Sequence, residues 1–333
     1  MKNIWISALI GLLVLAVPLH SQQPVQWHDL SPHTAQFVAV DKDVRLEVLD
    51  WGGSGRPVVL LAGWGNTAHI YDDFAPKLTA GYHVYGITRR GFGASSFSGW
   101  NYGADRLADD VIAVIDALKL NRPVLVGHSL AGQELSSIAN RHPERVAGLV
   151  YLDAGYEYAF ENGKGPSRDE FEAMKSKEPH PSPPSEPDLA SFEMLQKWYV
   201  RTFGLAFPEG ELHQIWDAGS DGHVGKVRNS QNAEMIFRGM RTYTDIPVPT
   251  LAIFAIPHRV GIWINESADP EVRKASKAYS VADVALTGKQ VNAFDDGVPT
   301  AHVVRLKDAD HFVFLSNEAD VLRELRSFIK RLH

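Results

Sequence analysis

The sequence predicts an α/β protein with a mostly parallel central sheet flanked by helices. Three observations carry this. Short continuous apolar runs, such as Val58-Val59-Leu60-Leu61 and Val124-Leu125-Val126, read as strands buried on both faces. Segments with helical periodicity alternate with them, which implies βαβ units and parallel pairing. The alternation stops near residue 155 and resumes near 246, so a long insertion follows the sixth strand.

The elements follow in order. Phe37-Val38-Ala39-Val40 and residues 44–49 read as a strand pair around the turn Asp41-Lys42-Asp43. The run at 58–61 is the third strand. A helical segment to about Leu78 follows, then a strand at 82–86 and a glycine-rich loop, Arg90-Gly91-Phe92-Gly93-Ala94-Ser95. Between about 104 and 118 the apolar residues Leu107, Ala108, Val111, Ile115 and Leu118 share one helical face, and Pro123 bounds the segment. The strand at 124–126 leads through a tight turn into a helix over 130–141, and residues 147–152 form the sixth strand.

Residues 155–245 carry helix signals and few strand signals. They open with a capping box, Ser167-Arg168-Asp169-Glu170, and include a proline-rich stretch at 178–188. Four of the five methionines lie here, among several aromatic residues. This composition suits a helical lid over an apolar pocket, and Trp198, Trp216, Met235 and Phe237 are its expected pocket residues. Strands at 250–255 and 303–306 complete the sheet, with a helical insertion at about 270–294 between them. A last helix begins near Asn317. The expected organisation is thus a core at 34–154, a lid at 155–245 and the rest of the core at 246–333.

Composition narrows the chemistry. The net charge is −7 and no run of lysines and arginines occurs, so nucleic acid is not an expected partner. The chain has no cysteine, which excludes disulfides, thiolate metal sites and thiol nucleophiles. Residues 1–22 read as an export signal: Lys2 precedes an apolar stretch, and polar residues return at Ser21-Gln22-Gln23. That stretch is short against the roughly 20 residues of a membrane span. The expectation is a secreted or periplasmic protein, with an uncleaved membrane anchor as the alternative.

The chemistry centres on Gly127-His128-Ser129-Leu130-Ala131-Gly132. A serine in a tight turn between strand and helix is held at the turn's tip. Its neighbours must be small, as Gly127 and Ala131 or Gly132 are. The hydroxyl then meets the positive end of a helix dipole. A serine needs a base, and His311, just after the last strand, is the best placed of the 14 histidines. Asp153 ends the sixth strand and is the expected acid, with Glu266, Asp269 and Asp310 as alternatives. The amides of Leu130 and Trp64 are the expected oxyanion donors.

These segments give the chain its resemblance. Leu60-Leu61-Ala62-Gly63-Trp64, Arg89-Arg90-Gly91-Phe92-Gly93-Ala94-Ser95, the serine turn and Asp310-His311-Phe312 occur in the order found in α/β-hydrolase-fold serine hydrolases. The resemblance implies Ser129, Asp153 and His311 as triad, in chain order. Two positions depart from the family. Ala62 stands where a histidine is frequent, which leaves the support of the oxyanion loop in question. The usual acid position after the seventh strand reads Ile256-Pro257-His258, with no carboxylate. Serine at the turn argues against epoxide hydrolases and haloalkane dehalogenases, which use aspartate there.

The expected activity is cofactor-free, metal-free hydrolysis of a small apolar carboxylic ester through an acyl-enzyme. Lactone, thioester or amide cleavage, and perhydrolase or lyase chemistry, are alternatives on the same scaffold. A non-catalytic ligand-binding protein is the alternative of another class.

Overall fold

A computed structural model describes residues 27–155, 164–175, 177–228, 233–241 and 243–332. The segment read as an export signal lies outside them. An eight-stranded sheet runs through the molecule in the order β1-β2-β4-β3-β5-β6-β9-β10. The antiparallel hairpin of β1 (Thr34–Asp41) and β2 (Val44–Gly52) forms one edge. β2 also pairs antiparallel with β4 (His83–Ile87). All remaining pairs are parallel: β3 (Pro57–Leu61), β5 (Val124–His128), β6 (Gly148–Leu152), β9 (Thr250–Ala255) and β10 (Ala301–Leu306).

The continuous apolar runs are explained by this placement. Successive residues of a strand point to opposite faces, and here both faces are covered. Val58, Leu60, Val124, Val126, Leu251 and Ile253 pack on one side. That side is closed by Val321, Leu325 and Phe328 of the last helix, α10 (Glu318–Lys330). Val59, Leu61, Leu125 and Leu149 pack on the other, against Val111 and Ile115 of α1 (Ala104–Ala117) and Leu135 and Ile138 of α2 (Ala131–Arg141).

Between β6 and β9 lie α3 (Arg168–Lys175), α4 (Phe192–Phe203), α5 (Glu209–Ile215) and α6 (Ala233–Arg238). The reciprocal bonds of the capping box are present at α3: Ser167 N donates to Glu170 Oε2 (2.7 Å), and Glu170 N to Ser167 Oγ (3.1 Å). The segment also contains a small hairpin, β7 (Trp216–Ala218) with β8 (Val224–Val227), which the sequence reading does not anticipate. Its strands are too short to show an alternating pattern. The expected helix before Leu78 is instead two 3₁₀ turns, Ala68–Tyr71 and Ala75–Leu78. Pro76 has no N–H to continue a helical ladder.

After β9 come α7 (Trp263–Glu266) and the long α8 (Pro270–Gly297), which starts on an Asp269 cap. A short α9 (Val313–Ser316) links β10 to α10. Among the described residues, no helix is long and apolar enough to cross a membrane.

Candidate active site

Ser129 sits between β5 and α2 with φ of +52°. A residue with a side chain rarely adopts this conformation, so the surroundings must hold it there. They leave no room for larger neighbours. A Cβ on Gly127 would stand 3.0 Å from Leu135, and one on Gly132 would stand 2.7 Å from the Gly155 nitrogen. Ser129 N donates to the Leu152 carbonyl (3.2 Å), which pins the turn to the end of β6.

Three of the expected residues meet at the carboxyl edge of the sheet. Ser129 Oγ lies 2.8 Å from His311 Nε2, and His311 Nδ1 lies 2.6 Å from Asp153 Oδ2. Asp153 is fully buried at the end of β6, also with positive φ (+47°). Its Oδ1 accepts from Ala255 N at 2.7 Å. Its Oδ2 has a second imidazole beside it, His258 Nε2 at 2.8 Å. Burial disfavours the Asp153 charge, but His258 and His311 outweigh it and hold the carboxyl well below its usual range.

His258 and its partner Asp283 are the site residues that sequence reasoning misses. His258 follows β9, at the position where the acid is usual in this fold. Its Nδ1 lies 3.0 Å from Asp283 Oδ2, and Thr287 Oγ1 donates to Asp283 Oδ1 (3.1 Å). Burial works against the His258 charge, yet Asp153 and Asp283 raise its pKa to about 10. At neutral pH an imidazolium therefore lies between two carboxylates. The signal for His258 is its place directly after a buried strand. Asp283 has no comparable signal, because it lies mid-helix and only the packing of α8 brings it in.

The alternative acids lie elsewhere. Asp269 caps α8. Asp310 lines the cavity, but its Oδ1 accepts from Phe312 N, and burial raises its pKa. The side chain of Glu266 lies outside the described residues.

The loop after β3, whose support Ala62 leaves in question, is held from two sides. Arg89 donates to the carbonyls of Ala62 (2.8 Å) and Gly63 (3.2 Å), and its guanidinium is itself paired with the buried Glu134. Further along, Glu211 of α5 accepts from Asn66 Nδ2 (2.8 Å), Thr67 N (3.1 Å) and Thr67 Oγ1 (2.5 Å). Two buried side chains from distant segments thus hold the loop. Behind Ser129, His128 is buried, and its Nε2 donates to the His311 carbonyl at 3.0 Å. Burial, with the neighbouring His311 ring, lowers its pKa to about 3, so it is neutral.

A cavity of about 480 Å³ opens onto Ser129 and His311. Trp64 and Leu130 line it, as does Phe237, whose ring lies 5.7 Å from that of Trp64. Phe171, Phe203 and Trp263 add further apolar wall. Three expected pocket residues do not line it. Trp216 is buried in the core with its Nε1 on the Tyr199 hydroxyl (3.3 Å), and Trp198 packs against the same core. Met235 packs with Phe92, Tyr102 and Leu107. These side chains tie the insertion to the core beneath it instead of facing the cavity.

A family model described as "Alpha/beta hydrolase family" matches residues 58–324. The chain belongs to the alpha/beta hydrolase family. Within this family it is 24% identical to a pimeloyl-[acyl-carrier protein] methyl ester esterase of Aeromonas hydrophila, over 83% of this chain and 96% of that one. It is 36% identical to a non-heme haloperoxidase of Rhodococcus erythropolis, over 35% of this chain and 43% of that one. The chain thus spans less than half the length of that haloperoxidase. Among solved alpha/beta structures, E-2-(acetamidomethylene)succinate hydrolase superposes with a TM-score of 0.64 at 20% identity, covering 90% of this chain and 99% of that one. A Bacillus subtilis carboxylesterase gives 0.55 at 18% identity, covering 89% and 91%. At these identities the structural likeness speaks for the fold.

Proposed function

We propose that this alpha/beta hydrolase cleaves small carboxylic esters, with Ser129 as nucleophile, His311 as base and Asp153 as the residue that orients the imidazole. The observation that carries the reading is the line of contacts from Ser129 Oγ through His311 to Asp153 at the wall of the cavity. His311 Nε2 takes the serine proton as Oγ bonds to the ester carbon. The C=O electrons move onto oxygen, and the Trp64 and Leu130 amides are assigned to hold that oxyanion. Collapse expels the alcohol, which leaves with the proton from His311. Water then repeats the steps and frees the acid and Ser129.

The aromatic wall favours an apolar acyl or alcohol group, and the insertion over residues 155–245 acts as a lid that limits length. The named activity of the Aeromonas relative, methyl ester cleavage, agrees with an ester substrate. The test is kcat/KM on p-nitrophenyl esters of increasing acyl length, with labelling by an active-serine phosphonate. Short chains should be favoured, and discrimination should be about 1–3 kcal/mol per methylene. Ser129→Ala should lose activity by a factor on the order of 10⁶. Near-normal turnover by folded Ser129→Ala protein would sink the reading. A rate that climbs steadily to long chains would remove the lid's role.

A further inference from the structure

On the face of the sheet covered by the 3₁₀ turns, Asp29, His33, His69 and Asp72 converge on one point. The cluster lies apart from the serine site. His69 and Asp72 are buried, on the first turn after β3, and Asp29 and His33 come from the segment preceding β1. One ligand atom from each lies within 4.8 Å of the others.

The polar atoms facing the centre are unsatisfied. Asp29 Oδ2, Asp72 Oδ2 and His69 Nδ1 are buried and have no hydrogen-bond partner. His69 Nδ1 lies 3.1 Å from Asp29 Oδ2 and 3.3 Å from Asp72 Oδ2, close enough to bond either and aligned with neither. His33 Nε2 lies 3.7 Å from Asp29 Oδ2. In a tetrahedral zinc site, bonds of roughly 2.0–2.2 Å place neighbouring donor atoms about 3.3–3.6 Å apart. The three separations straddle that range.

The opposite side of each group is satisfied, as an outer shell requires. Asp72 Oδ1 accepts from Trp51 Nε1 (3.1 Å) and lies 2.8 Å from His33 Nδ1. Asp29 Oδ1 accepts from Ser31 N (2.9 Å). His69 Nε2 faces Glu47 Oε1 at 3.5 Å. A proton on the outward nitrogen of each ring leaves the inward nitrogen as a lone pair, the form that binds metal. The space is kept by Gly210 of α5. A Cβ there would stand 3.0 Å from both inward carboxylate oxygens and 3.3 Å from His69 Nδ1.

We propose that Asp29, His33, His69 and Asp72 bind one divalent transition-metal ion, zinc by the chemistry of the two imidazoles and two carboxylates. The ion would join two separate parts of the chain, the segment before β1 and the turn after β3, beside Gly210 of α5. That helix already holds Trp27 by a ring stack on His213 (3.8 Å) and a bond from Trp27 Nε1 to Glu209 (3.0 Å). This role is structural. It departs from the metal-free expectation because the ligands come as two short pairs far apart in sequence, with no compact motif.

The test uses the full chain, stripped with a chelator, returned to metal-free buffer and titrated with zinc chloride. One zinc per chain should survive desalting, and the melting temperature should rise with zinc concentration. Asp29→Ala and His33→Ala should each lose the retained zinc while keeping ester hydrolysis at 25 °C, since neither touches the serine site. His258→Gln should keep it. Cobalt(II) in place of zinc should give the intense visible bands of a tetrahedral site, a readout that does not depend on any variant folding. Failure of the wild-type chain to retain zinc would overturn the proposal and leave His69 as an imidazolium among carboxylates. So would zinc that persists in Asp29→Ala and disappears in His258→Gln, which would put the ion on the Asp153-His258-His311 cluster. A weak octahedral cobalt spectrum would equally exclude the four-ligand site.

Discussion

One oxygen of Asp153 faces two imidazoles, and this sharing sets what His258 does. A charged His258 draws on the same carboxylate that contacts His311 and is proposed to orient it. Its replacement by glutamine keeps a donor for Asp153 and removes the charge. We expect the acid limb of kcat/KM in His258→Gln to move to higher pH, because Asp153 then acts on His311 alone. Asp153→Asn should instead cut kcat by about 10⁴, through the wrong imidazole tautomer. A limb unmoved in His258→Gln would show that the residue only fills space. Stability gives a second readout. The His258 pKa is raised from 6.5 to about 10. The unfolded chain therefore loses this proton first, and the stabilisation, complete below pH 6.5, declines as pH rises towards 10. Melting curves should show a steeper loss between pH 7 and 10 for the wild type than for His258→Gln.

Among the elements, α5 has the widest reach. Gly210 borders the proposed metal site, and the next residue, Glu211, caps the loop that carries Trp64. Burial raises the Glu211 pKa from 4.5 to about 7, although Thr67 and Asn66 oppose it by donating to the carboxylate. A raised acid pKa means that the fold favours the neutral form, so stability falls as pH climbs from 4.5 to 7. Glu211→Gln should gain on the wild type across that window, by about 3 kcal/mol in all. Thermal or urea unfolding at pH 4.5 and 8 measures it, and an equal difference at both values would contradict the burial argument. This contact also shows where sequence reading stops. The serine turn was legible because its demands are local: a strand, small neighbours, a helix. The support of the loop after β3 comes from Arg89 and Glu211, residues 26 and 145 positions from their partners Gly63 and Asn66. No local pattern records such pairings. The aromatic residues of the insertion were read correctly as apolar. Apolarity alone, however, does not separate a side chain facing a cavity from one packed beneath it, as Trp198 and Trp216 show.

For the whole molecule, the parallel sheet accounts for the assembly of the site. Each strand of the main sheet from β5 onward is followed by a polar residue at the same edge: Ser129 after β5, Asp153 after β6, His258 after β9 and His311 after β10. The fold class and the place of the insertion follow from buried apolar runs alternating with helices; the spatial order of the strands is seen only in the structure. The proposed metal cluster follows from nothing of the kind, because two of its ligands precede the sheet.

The pairing of β6 with β9 carries a consequence of its own. It is the seam between the chain before the insertion and the chain after it. The hydroxyl and the carboxylate belong to the earlier portion, and both imidazoles beside that carboxylate belong to the later one. Neither portion holds a working set of proton-transfer groups. On the proposed triad, the polypeptide would stay catalytically silent during synthesis until its final strand docks at the sheet margin, and a chain severed within the insertion could recover turnover only by re-forming that seam. Ester turnover would then report directly on the joining of two halves.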